Sequence, residues 1–193
     1  MLKKYFMLFA ILFFIPICFA DSLSNEQANS LELAGVKLGM TEPQLIQLLK
    51  NKYKLADTDF IIKEQQMKLP SSKLGGQSST VGTIKTYQVT LAPNKSIVLS
   101  VRLEEDIMHQ PVQMVVFGVD QSMPCTAKAK QEAYEALVKQ YGKEQFTNIV
   151  GDKLWHFTAD DMNKSRNTLS LSPSLDKVEI SIVTDQYRQP KIK

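Results

Sequence analysis

The sequence predicts an α+β protein, with helices packed on an antiparallel β-sheet, and three observations lead there. Two segments, around residues 42–53 and 126–142, repeat apolar residues at helical spacing. Between and after them the period changes to strict alternation of apolar and polar residues, the mark of strands with one wet face. The two helical segments also resemble each other: QLIQLLKNKYK laid over EAYEALVKQYG sets Leu49 on Leu137 and Tyr53 on Tyr141, and strands follow each. This pattern points to a tandem duplication of a helix-plus-meander unit. The expected division is a signal peptide over 1–20, a flexible lead-in over 21–34, a first helix-plus-sheet unit over 35–120 and a second over 121–193. The two units form either separate domains or one continuous domain.

The chain opens MLKKYFMLFAILFFIPICFA, with Lys3 and Lys4 before an apolar run from Tyr5 to Phe14. Pro16 breaks the run, and Cys18-Phe19-Ala20 supplies small residues where signal peptidase reads. The run is short for a membrane span. The reading is a secretory signal cleaved near Ala20, giving a periplasmic or secreted protein that starts at Asp21. Lipidation at Cys18, disfavoured by Pro16-Ile17, and an uncleaved anchor are the alternatives. Cleavage removes two lysines, so 23 basic residues become 21 against 20 acidic ones. That balance, without a basic stripe, argues against nucleic acid. Cys125 remains as the mature chain's single cysteine, so no disulfide forms within it.

Asp21 to Glu32 is polar and reads as a flexible lead-in. In GVKLGMTEPQLIQLL, Thr41 caps a helix, Gln44 completes a Thr-x-x-Gln capping box, Pro43 sits in the tolerant first turn, and Met40 with Leu45 forms a staple. Leu45, Leu48, Leu49 and Tyr53 then mark a buried face from Glu42 to Tyr53. Phe60 to Lys68 is a candidate strand, and Pro70 to Gly82 a Gly/Ser loop. Tyr87, Val89 and Leu91, then Ile97, Leu99, Val101 and Leu103, form a hairpin about Pro93-Asn94. Val112 to Val119 is more evenly apolar and suits a central strand. The second helix follows, with Ala133, Leu137 and Tyr141 on one side and Gly142 as its stop. Lys153–Thr158, Thr168–Leu171 and Lys177–Thr184 are strands, the last two joined at SPSLD.

Gly39-Met40-Thr41, followed by Leu45, Leu48 and Leu49, resembles the start of the first helix in SmpA/OmlA-type envelope proteins. That group includes the small lipoprotein subunit of the outer-membrane β-barrel assembly machinery. The tandem arrangement is similar to that of β-lactamase inhibitor proteins. The resemblance implies a binding scaffold, a helix pair on a curved sheet, that works by contact rather than by chemistry.

The residues that could carry chemistry are few. Cys125 stands at the start of the second helix, where the helix dipole favours a thiolate. The only histidines, His109 and His156, lie in no cysteine-hydrolase signature, and there is no Cys-x-x-Cys pair. Trp155 and Phe157 share one strand face, lining a groove or filling the core. His156 falls on the other face with Leu154 and Thr158. His109 near Glu104, Glu105 and Asp106 lacks the spacing of a calcium loop, and Asp160-Asp161 reads as a polar turn. No nucleophile elbow, phosphate loop or zinc-protease motif is present. The expectation is a non-enzymatic interaction module without cofactor or metal, whose partner is another envelope or secreted protein, acting in envelope assembly or as an inhibitor. Its sheet face and Gly/Ser loop would make the contacts. A small-molecule or lipid carrier using Trp155 and Phe157, and a thiol enzyme using Cys125, are the alternatives.

Overall fold

The computed structural model describes residues 31–69, 79–92, 96–106, 111–158 and 166–184. The first described elements lie in what the sequence presents as a flexible lead-in. Strands β1 (Glu32–Leu33) and β2 (Val36–Lys37) pair as a small hairpin. Ala34 and Gly35 both have positive φ, 57° and 86°, the backbone a two-residue turn needs for its twist to match the strands. Leu31, Leu33 and Val36 are buried. The polar composition before Leu31 hides this alternation, and residues 31–34, expected within the lead-in, belong to this hairpin.

Helix α1 (Glu42–Tyr53) has the expected bounds and buries Leu45 and Leu49. A short 3₁₀ turn (Asp57–Asp59) leads into β3 (Ile61–Leu69) and β4 (Ser79–Ala92), so part of the expected Gly/Ser loop, from Ser79 to Gly82, is strand. Residues 70–78 of that loop lie outside the described residues. β5 (Ile97–Asp106) and β6 (Gln113–Pro124) complete a four-stranded meander. β6 runs to Pro124, so the expected boundary after residue 120 cuts through a strand. Helix α2 (Ala127–Tyr141) is capped at Thr126, whose hydroxyl accepts from the Ala129 N–H at 3.0 Å, and ends at Gly142 with φ 79°. A second meander follows: β7 (Phe146–Thr147), β8 (Lys153–Thr158), β9 (Arg166–Pro173) and β10 (Lys177–Thr184).

The two meanders form one eight-stranded antiparallel sheet in the order β3-β4-β5-β6-β10-β9-β8-β7. They join through their last strands, where β6 pairs with β10 from Pro124–Lys177 to Gly118–Val183. The registers are symmetric about the Val119–Ile182 pair. Moving outward on one side are Val101 then Tyr87, and on the other Leu169 then Trp155. This row belongs to a single core that also holds Leu45 and Leu49 of α1 and Leu137 of α2, so both helices cover the same face. Tyr53 donates from its hydroxyl to the Ala34 carbonyl at 2.7 Å, and Tyr141 reaches the backbone at Glu32. The tyrosines that matched in sequence thus hold the β1–β2 hairpin from two sides.

Candidate interaction face

The Gly-Met-Thr stretch is a splice onto β6. The Gly39 N–H donates to the Val116 carbonyl at 2.7 Å, the Val116 N–H donates to the Met40 carbonyl at 2.9 Å, and Thr41 bridges Val115. Gly39 has φ 79°, which favours glycine. These bonds occupy the edge of β6 beyond the end of its pairing with β10, where open backbone groups would otherwise go unmet. At the helix start the Thr41 N–H donates to Gln44 Oε1 at 2.9 Å.

Cys125 is a free, half-buried cysteine whose N–H donates to the Asp176 carbonyl at 3.0 Å. Trp155 is wholly buried, and its indole N–H donates to the Gly142 carbonyl at 2.9 Å. It faces the core, the second of its two expected places. His156 and Phe157 lie in β8 opposite Thr168 and Asn167, their side chains outside the described set. His109, Asp160, Asp161 and the segment from Met1 to Ala20 are also outside the described residues. Among the described residues no three His, Cys, Asp or Glu side chains converge as metal ligands. A hollow of about 340 Å³ lies beside α2, lined by Tyr134, Lys153, Leu171 and Val178, but not by Trp155.

Two ion clusters pin the helix layer to the sheet. Glu42, at the start of α1, accepts from Lys85 at 2.8 Å and from the Tyr87 hydroxyl, while Lys85 also meets Glu64 at 3.2 Å. Burial alone would raise the Glu42 carboxyl, but bonds from Lys85 and Tyr87 outweigh it and hold it below the usual range. Burial, then Glu42, pushes the Tyr87 hydroxyl up to about 12. In the second unit Glu144 accepts from Lys153 at 2.9 Å and from Tyr134 at 2.8 Å, with the Lys153 ammonium 4.5 Å over the Tyr134 ring. Burial would raise Glu144 as well, yet these bonds bring it down to about 2. Lys85 stands two residues before Tyr87, and Lys153 two before Trp155. Lys-x-Tyr-x-Val-Thr (85–90) and Lys-x-Trp-x-Phe-Thr (153–158) are thus similar segments, one in β4 and one in β8.

The opposite face of the sheet carries no helix among the described residues. One row across it reads Gln88, Ser100, Asp120, Ser181, Ser170 and Leu154. Ile61 on β3 and Phe146 on β7 close this row at the two edges, 56% and 53% exposed. At its centre Arg102 donates to Asp120 at 3.1 Å, and the Ser181 hydroxyl donates to the same carboxylate at 2.5 Å. Gly118, opposite Arg102, leaves room for the guanidinium: a Cβ there would lie 2.8 Å from Arg102 Nη2. The guanidinium also lies 5.4 Å over the ring of buried Phe117. The result is an arginine held flat in the middle of a hydroxyl-rich surface.

No protein-family model, curated protein or solved structure matches this chain.

Proposed function

We propose that this chain is a non-enzymatic protein-interaction module of the cell envelope, exported by the segment ending near Ala20, which docks a protein partner on the open face of its sheet. The observation that carries the reading is the face itself: a row of hydroxyl and amide groups around the Arg102–Asp120 pair, with Ile61 and Phe146 at its ends. Short hydroxyl side chains lose little freedom on docking and adapt their hydrogen bonds to the partner. An arginine already fixed by Asp120 and Phe117 has less entropy left to lose than a free one. Arginine and aromatic residues are also the types that dominate interface energetics.

The resemblance of Gly39 to Leu49 to SmpA/OmlA-type proteins, and of the tandem arrangement to β-lactamase inhibitors, supports the same direction. The partner is another envelope or secreted protein, which the module helps to assemble or inhibits. A ligand-carrier role would have to use a site other than Trp155, such as the hollow beside Tyr134 and Lys153, since Trp155 lies inside the core.

The test places a photo-crosslinking residue at Ser170 on the open face and, as control, at Glu135 on the exposed side of α2. A discrete protein adduct from Ser170, absent from Glu135 and weakened by Arg102→Ala, is the expected result. Equal patterns from the two sites, or no adduct from a folded and exported chain, would sink the reading.

A further inference from the structure

Three aliphatic side chains stand in solvent at one end of the sheet. Ile149 and Val150 form the tip of the β7–β8 turn, 104% and 68% exposed, and Leu175 forms the tip of the β9–β10 turn, also 104% exposed. Neither turn needs them in order to fold. In the first, Asn148 Oδ1 accepts from the Val150 and Asp152 N–H groups at 3.0 and 2.9 Å, and Asn148 Nδ2 donates to Asp152 at 2.9 Å. The Gly151 N–H donates to the Asn148 carbonyl at 3.1 Å, with φ 90° at Gly151. In the second, the Ser174 hydroxyl donates to Asp176 at 2.9 Å and accepts from the Lys177 N–H at 3.2 Å. Both turns are built by polar side chains, yet each presents an aliphatic residue where turns ordinarily carry polar ones.

β7 to β10 are successive neighbours in the sheet, so the tips stand two strand spacings apart, roughly 10 Å. Helix α2 begins at the same end, tied there by the Cys125 N–H to the Asp176 carbonyl. Lys128 and Lys130 are exposed in its first turns, where the helix N-terminus adds positive partial charge. Lys177, at the base of the second turn, pairs with Glu179, and Lys128 meets Glu132 at 3.7 Å. Asp152 and Asp176 are engaged within their own turns by Asn148 and Ser174.

We propose that this end of the sheet docks on an anionic lipid surface, with Ile149, Val150 and Leu175 in the acyl boundary and Lys128 and Lys130 among the headgroups. A protein partner would need a separate pocket for each convex tip, whereas a fluid apolar medium accepts isolated side chains on rigid turns. Three aliphatic side chains bury less than one acyl chain, which itself anchors only marginally, so the attachment is weak and reversible. Lysines next to an anionic surface add to it and make it salt-dependent. The tips project along the strand ends, so the open face stays free for a partner.

Vesicle flotation tests this with the exported chain beginning at Asp21, which keeps every described residue and lacks the apolar leader. Vesicles of phosphatidylethanolamine with phosphatidylglycerol should carry the protein upward, and phosphatidylcholine alone should not. The Ile149→Asp, Leu175→Asp double variant should lose at least about tenfold in bound fraction, as expected for charging two inserted aliphatic residues. Its circular dichroism and unfolding midpoint should stay unchanged, because both side chains are solvated in the free protein. Lys128→Glu with Lys130→Glu should weaken flotation at low salt and lose its effect at high salt. The proposal is overturned by failure of the wild type to float with either vesicle, by undiminished flotation of the tip variant, or by self-association through the tips without flotation.

Discussion

Replacing Gly118 with alanine probes the centre of the open face. The added Cβ would lie 2.8 Å from Arg102 Nη2, closer than real Cβ contacts come, and 3.0 Å from Cζ and 3.1 Å from Nε, tighter than most. The guanidinium is the far end of a flexible side chain, so it swings away rather than forcing the strands apart. What is lost is the pair with Asp120, partly exposed and worth about 1 kcal/mol at most, and the stacking on Phe117, about 0.5–1 kcal/mol. Alanine returns about 0.5 kcal/mol because glycine weakens a strand interior. Gly118→Ala should therefore cost about 1 kcal/mol in the natural chain. In an Arg102→Ala background the clash has no target, and the same change should stabilise by about 0.5 kcal/mol. Urea unfolding of the four chains closes the double-mutant cycle, with a coupling of about 1.5 kcal/mol. Equal costs in the two backgrounds would refute the packing of Arg102 on Gly118.

Other outcomes follow from the core and from the ion clusters. Leu49→Ala empties a wholly buried site against β6 and should cost about 2.5–5 kcal/mol by denaturant unfolding. Trp155 is the only tryptophan and is fully buried, so native emission should be blue-shifted and move red in a single step on unfolding. The depressed carboxyl of Glu144 stabilises the fold above the ordinary carboxylate range, and that stability is lost as pH falls from near 4 toward about 2. Glu144→Gln should flatten this part of the stability profile, and an unchanged profile would remove Lys153 and Tyr134 as its cause. The Tyr87 hydroxyl, raised to about 12, contributes stability below its unfolded value near 10 that is lost as pH rises through 12. Ultraviolet titration should find late-ionising tyrosine, since Tyr134 and Tyr141 are raised as well, and Tyr87→Phe should remove the part that titrates near 12.

Local chemistry made much of the fold legible. Thr41, Gln44 and Pro43 start α1, and Gly142 ends α2, because capping depends on neighbours within a few residues. Alternation around Tyr87 and Leu99 gave strands for the same reason, since a strand with one buried face writes its period directly into the chain. The β1–β2 hairpin was readable in Leu31, Leu33 and Val36 but was masked by the polar residues before it. The two-residue β7 carries too little pattern to be seen.

The candidate face was much less legible. Gly118 and Arg102 are sixteen residues apart in sequence and meet only through the register of β5 with β6. Ile61 and Phe146 became the two ends of one row only when β6 paired with β10. The aliphatic tips could have been suspected, because Ile149-Val150 and Leu175 interrupt polar turn sequences, but that both turns share the end of the sheet where α2 begins is a property of topology.

By itself, then, the sequence determined the α+β class, the two helices and most strands. These rest on interactions within a turn of helix or across a pleat. Tertiary structure decided that Gly39-Met40-Thr41 splices onto β6, that Trp155 faces inward, and that the two meanders join through their final strands. Those outcomes depend on which distant backbone groups find each other, and each strand edge could have met its hydrogen bonds with more than one partner. Only the packing of both helices on one face, around the Val119–Ile182 pair, selects this arrangement, and among the described residues the other face carries no helix.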